Sequence, residues 1–109
     1  MSTHIAQTLQ VSCVQMHWAK PIELNLARTL LYIEEAASSG SRVVVFPEAN
    51  LTSYYFPYVI DLSPDTVQDA LNRVCQAAAD SDIWVITGTI RKTPDRFLNV
   101  AHVIDPQGR

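Results

Sequence analysis

Cysteine, histidine, glycine and charge are all scarce in this sequence, and each scarcity removes a class of function. The 109 residues hold two cysteines, Cys13 and Cys75, far apart and without a CxxC or other metal-ligand spacing. Both are expected to be buried free thiols. His4, His17 and His102 stand equally alone, so no metal site is predicted, and nothing calls for a cofactor. With three glycines in all, no Gly-rich phosphate loop appears. Charged residues make up 17% of the chain, the formal net charge is −3, and Lys and Arg are scattered rather than striped. That pattern excludes an electrostatic footprint for nucleic acid or an anionic membrane. No apolar run approaches the roughly 20 residues of a membrane span, and residues 1–10 lack a basic region followed by an apolar one, so a cytoplasmic protein is expected. Repeats, linkers and low-complexity segments are absent too.

What the chain does have is apolar substance, 48% of its residues, enough for one modest core but not for two domains. It is organised around Arg42-Val43-Val44-Val45-Phe46-Pro47-Glu48. The apolar run, bounded by Gly40 and Pro47, reads as a short strand of a parallel sheet buried on both faces. Pro47 cannot donate to a sheet ladder, so the strand should stop there and deliver Glu48 to the carboxyl edge of the sheet, where open α/β folds place ligands. The plain alternative is a solvated loop residue or a helix cap. Tyr54, Tyr55, Phe56 and Tyr58 follow closely. These rings would either wall Glu48 from water, an environment that suits a general base, or pack the core or a subunit contact.

In chain order, residues 9–16 alternate with Leu9, Val11, Cys13, Val14 and Met16 apolar, predicting a first strand. Leu26, Leu30, Ile33 and Ala37 recur at helical spacing, predicting an amphipathic helix over 22–39 that starts after Pro21 and ends at Gly40. With the strand ending at Glu48 this makes a β-α-β unit with parallel strands and a right-handed crossover. Ser63-Pro64-Asp65 is a helix start, and Val67, Leu71, Val74 and Ala78 form the buried stripe of a second helix reaching residue 80. Residues 83–90 form a strand in which Gly88 marks a bulge or a close backbone approach. A turn at Thr93-Pro94-Asp95 leads to a strand over 97–104, antiparallel because so short a connection cannot cross over. Asp105-Pro106-Gln107-Gly108 has the residues of a tight turn, and only Arg109 follows. The expectation is an N-terminal piece of a longer α/β domain, cut within a hairpin.

Several of these strings, taken in register, resemble the nitrilase superfamily of carbon-nitrogen hydrolases. They are Gln15-Met16, the helix containing Asn25 and ending in Glu35-Ala36-Ala37-Ser38-Ser39-Gly40, Val43-Val44-Val45-Phe46-Pro47-Glu48 with Leu51-Thr52-Ser53-Tyr54, Val85-Ile86-Thr87-Gly88, and the run from Asn99 to Gly108. The resemblance implies the N-terminal part of an α-β-β-α sandwich, in the order β-α-β-α-β-β. It also implies hydrolysis of a small non-peptide amide, carbamoyl compound or nitrile by a Glu-Lys-Cys triad without cofactor or metal. Glu48 matches the glutamate, the general base, and Tyr54 is the candidate substrate-binding residue. The lysine and the nucleophilic cysteine belong beyond Arg109, since neither Cys13 nor Cys75 has the nucleophile's context. A homo-oligomer is implied for the full chain, and the isolated piece should be inactive. Ser53 departs from the glycine common before that tyrosine. Two rivals remain. One is a catalytically dead relative serving as an assembly or regulatory subunit. The other is a flavodoxin-like small-molecule binding domain, which would place acids where Gln15-Met16-His17 and Thr87-Gly88-Thr89 stand.

Overall fold

The computed structural model describes residues 7–109, so His4 and most of the 1–10 segment lie outside the described residues. Seven elements follow in order: β1 (Val11–Cys13), α1 (Ile22–Ser38), β2 (Val43–Val45), α2 (Phe56–Val59), α3 (Pro64–Ser81), β3 (Trp84–Lys92) and β4 (Phe97–Ile104). The expected β-α-β-α-β-β order stands, with a one-turn helix, α2, added inside the aromatic segment. The strands form one sheet in the order β1-β2-β3-β4, parallel across the first three. β4 is antiparallel to β3, from Val85 opposite Ile104 to Lys92 opposite Phe97.

The local causes are readable. Ser63 Oγ accepts from the Asp65 amide at 3.1 Å and Pro64 takes the first helical position, so α3 begins where its capping sequence says. α1 starts after Pro21 without a side-chain cap. Its first amide, which has no partner within the helix, is satisfied from a distance instead, Ile22 N–H donating to the Tyr58 hydroxyl at 2.9 Å. Gly40 ends α1 at φ +93, a conformation that favours glycine. Asp105 and Gly108 close the final turn, the Gly108 amide donating to the Asp105 carbonyl at 2.8 Å.

Both long helices cover the same face of the sheet. Ile33 and Ala36 of α1, Val74 and Ala78 of α3, and Val44, Val85 and Ile104 of the sheet make the main core with Phe46, Leu51 and Ile83. Burial of this apolar surface is the chief stabilising term, and truncating a fully buried side chain such as Ile33 to alanine costs about 2–5 kcal/mol.

Four expectations need correction. β1 is three residues long rather than spanning 9–16; as the edge strand it has a ladder on one side only, although Val14 N–H still donates to the Val45 carbonyl and Arg42 N–H to the Gln10 carbonyl. β2 is not buried on both faces, for Val44 is fully covered while Val43 and Val45 are half-exposed, because only one face of the sheet carries helices. Cys13 shares that open face and is exposed, not buried. The buried stripe of α1 is Ile22, Asn25, Thr29, Ile33 and Ala36, offset from the purely apolar stripe read from spacing, because two polar residues are drawn into the core by partners waiting there.

Candidate active site

The chain leaves β2 at Val45, and Phe46 N–H still donates to the Ile86 carbonyl at 2.9 Å, so Pro47 and Glu48 emerge at the carboxyl edge of the sheet as expected. A run of turns follows. Asn50 N–H donates to the Pro47 carbonyl at 3.2 Å and Ser53 N–H to the Ala49 carbonyl at 2.7 Å, with Ala49 at φ +52 and Ser53 at φ +64. Non-glycine residues in that left-handed region carry a cost of about 1–2 kcal/mol each, so something must hold them there.

The restraint is a buried network of hydrogen bonds. Asn50, 2% exposed, accepts through Oδ1 from both Thr87 Oγ1 and the Gly88 amide at 2.8 Å, and its amide donates to Thr29 Oγ1 at 3.0 Å. Thr29 in turn donates to the Asn25 carbonyl. The Asn25 side chain bridges both backbone groups of Ala19 and reaches the Leu51 carbonyl at 3.1 Å. Thr52 Oγ1 accepts from Ile90 N–H at 2.9 Å. Among the described residues no buried side-chain polar atom lacks a partner, so the network is complete. Backbone contact tightens it. A Cβ on Gly88 would lie 2.4 Å from the Ala49 amide nitrogen, which resolves the expected bulge or close approach in favour of the approach.

Held in this way, Glu48 is exposed and faces a cleft of about 350 Å³ whose walls include Pro47, Ile86, Gly88, Asn99 and Ala101. Asn99 of β4 donates from Nδ2 to Glu48 Oε1. Another concavity, about 610 Å³, lies between α1 and α3 and shares no lining residue with that cleft. Its walls, among them Glu23, Asp69, Arg73 and Gln76, are helix surface without a nucleophile or a buried polar group.

Tyr54 does not line the Glu48 cleft. It is half-exposed, with its ring 6.4 Å from that of Trp18. Tyr55 stacks on Trp18 at 5.8 Å under Lys20, Phe56 meets Phe97 edge-on at 5.3 Å, and Tyr58 reaches Ile22. The expected screening of Glu48 by these rings is therefore absent in this chain, because they find partners in Trp18, Lys20, Ile22 and Phe97. Ser53, where glycine was expected, adopts a glycine-like backbone at full burial and accepts from Tyr55 N–H at 3.2 Å, so the substitution leaves the turn intact.

The other titratable candidates lie apart. Burial pushes the Cys75 thiol up, against a smaller lowering by a backbone hydrogen bond. His102 is half-buried on the helix side of β4, where Thr89 Oγ1 lies 2.8 Å from its Nε2; desolvation, then the Arg91 charge, lowers its pKa. No group of three or more potential metal ligands is found among the described residues, and no helix there is long and apolar enough to cross a membrane.

Sequence reading missed Asn25, Thr29, Asn50 and Thr87 as the supports of the site. Asn25 and Thr29, four apart between Ile22 and Ile33, were the available signal, polar residues on a face otherwise apolar.

Known proteins resemble this chain in sequence and in fold. The chain is 26% identical over 102 residues to an omega-amidase of Bos taurus and 31% identical over 88 residues to one of Xenopus tropicalis. These matches cover 93% and 77% of this chain but 37% and 31% of the relatives, so the chain spans about a third of their length. Among solved structures, an amidase of the nitrilase superfamily from Nesterenkonia superposes with a TM-score of 0.81 at 21% identity, over 92% of this chain and 39% of its own. The same amidase in complex with butyramide gives 0.82 at 21% identity, over 93% of this chain and 40% of its own. The likeness to these structures establishes the shared fold and sets aside a flavodoxin-like domain. The carbon-nitrogen hydrolase family model matches residues 10–109, and with nearly the whole chain in register this protein belongs to the carbon-nitrogen hydrolase family.

Proposed function

We propose that this chain contributes the general base, Glu48, to a hydrolase of small non-peptide amides that works through a Glu-Lys-Cys triad. The observation that carries the reading is the placement of one carboxylate at the sheet's carboxyl edge, on a turn pinned by buried Asn50 and Gly88 and facing an open cleft. An amide is favoured over a nitrile or a carbamoyl compound because the relatives are named omega-amidases, and the solved amidase is described with butyramide bound and with an acetamide adduct on its active-site cysteine.

In this reading Glu48 takes the proton of a cysteine thiol supplied from outside these 109 residues. The thiolate attacks the amide carbon while a lysine ammonium stabilises the oxyanion. Glu48 returns the proton to the leaving nitrogen, ammonia departs and a thioester remains. Glu48 then deprotonates water, hydroxide adds to the thioester, and the thiolate leaves the carboxylic acid product and takes the proton back from Glu48, restoring thiol and carboxylate. Tyr54, in the same reading, contributes to the mouth of the substrate pocket. A homo-oligomer, on the strength of the family resemblance, and a cytoplasmic setting without cofactor, nucleic acid or membrane, on the strength of composition and charge, complete the proposal.

The test is Glu48→Gln in the full-length enzyme, assayed by ammonia release from short aliphatic amides. The shape is kept and the proton acceptor lost, so kcat should fall at least about 10²- to 10⁴-fold with the thermal midpoint unchanged. A folded variant that retains most of its activity would overturn the assignment.

A further inference from the structure

We propose that Asn99 is a positioning residue for Glu48, holding one oxygen of the carboxylate so that the other is free and aimed to accept a proton. The inference rests on the reading of Glu48 as the base. Its starting point is the hydrogen bond from Asn99 Nδ2 to Glu48 Oε1, which joins residues 51 apart in the chain.

Both partners are anchored to the same strand. Glu48 is tied to β3 through Asn50, whose side chain accepts from Thr87 and Gly88, and through the contact of Gly88 with Ala49. Asn99 is tied to β3 by the antiparallel ladder, where it sits opposite Ile90. A glutamate on an exposed turn has several freely rotating side-chain bonds, and fixing it costs entropy that a catalytic geometry must offset. An asparagine suits the task by its chemistry. Its amide is a neutral donor at every working pH, and it cannot take the proton meant for the base. The second oxygen, Oε2, keeps its lone pairs for the thiol and later for water.

The experiment compares Asn99→Asp, Asn99→Ala and Glu48→Gln in the full-length enzyme. Asn99→Asp preserves shape and removes the donor, placing a second carboxylate where the amide stood. Its kcat should fall roughly 10²-fold, as for a misplaced catalytic group, with KM within a few-fold of the parent and the thermal midpoint unmoved. The acid limb of its pH–rate profile should move to higher pH, because two carboxylates at hydrogen-bond distance retain a proton between them. Asn99→Ala should lose less, since water can replace the amide. A packing role predicts the reverse order, the isosteric aspartate near normal and the alanine impaired. If Glu48→Gln is inactive while Asn99→Asp and Asn99→Ala keep normal kcat and pH profiles, the positioning role is wrong and the base assignment stands. If Glu48→Gln is active, both fall.

Discussion

At Gly88 one added carbon atom would meet backbone rather than a yielding side chain, 2.4 Å from the Ala49 nitrogen and 3.1 Å from its Cα. Gly88→Ala must therefore separate β3 from the turn that carries Glu48. The expected result is a loss of about 1–3 kcal/mol from overpacking, read as a lowered denaturation midpoint, accompanied in the full-length enzyme by a fall in kcat. Unchanged stability would mean that the approach is looser than the structure shows. This residue was half legible beforehand, since a glycine inside a strand signals either a bulge or a close approach and only the neighbouring loop decides between them. Glu48 was legible in full as a position, because Pro47 ends the ladder at a predictable place. Asn50 was not. A polar residue two places after a carboxylate looks like loop, and its partners Thr29 and Thr87 become neighbours only when the helix and the strand are assembled.

Among elements, the hairpin of β3 and β4 was the most legible, since a three-residue turn signal between two β-branched runs leaves one pairing direction. α1 was legible in extent but not in facing. A stripe drawn through apolar residues alone misses Asn25 and Thr29, whose burial depends on partners outside the helix. The aromatic segment was the least legible, because rings that could screen a carboxylate pair just as well with Trp18 and Lys20. The hairpin also carries a pH dependence. The pKa of His102 is lowered in the folded state from its ordinary 6.5, first by burial and then by Arg91, so the unfolded chain binds a proton there more readily than the folded one. Its contribution is fully present above pH 6.5 and is lost as the pH falls through that value toward the lower folded one. The thermal midpoint of the chain should drop more between pH 7.5 and 5.5 than that of His102→Gln, whose side chain can still meet Thr89. Equal drops would remove His102 as a source of acid sensitivity.

Across the whole molecule the sheet is two-sided in composition but one-sided in cover. Ser12, Val44 and Val85 share a register row against the helices, whereas Val11, Val43 and Trp84 share one on the open face, where Val11 and Trp84 are 44% and 41% exposed. The apolar run at 43–45 was read as covered on both faces because every residue in it is apolar, and composition alone cannot tell a covered face from an open one. The two cysteines report the difference. Cys13 lies on the open face, while Cys75 packs against the main core from α3. In this 109-residue chain a thiol-labelling reagent should react in a fast and a slow phase, and Cys13→Ser should abolish the fast one while Cys75→Ser leaves it. Survival of the fast phase in Cys13→Ser would place the accessible thiol at Cys75 and contradict the described packing.

The buried clamp around Asn50 divides the neighbourhood of Glu48 into a part that must be inherited together and a part free to drift. Asn25, Thr29, Asn50, Thr87 and Gly88 hold the turn jointly, so replacing one strands the hydrogen-bonding groups of the others, and such changes survive only when several occur at once. Beyond Ser53 the constraint ends. Tyr54, Tyr55, Phe56 and Pro57 are exposed and outside the clamp, so this aromatic segment can change residue by residue without disturbing the turn that carries the carboxylate.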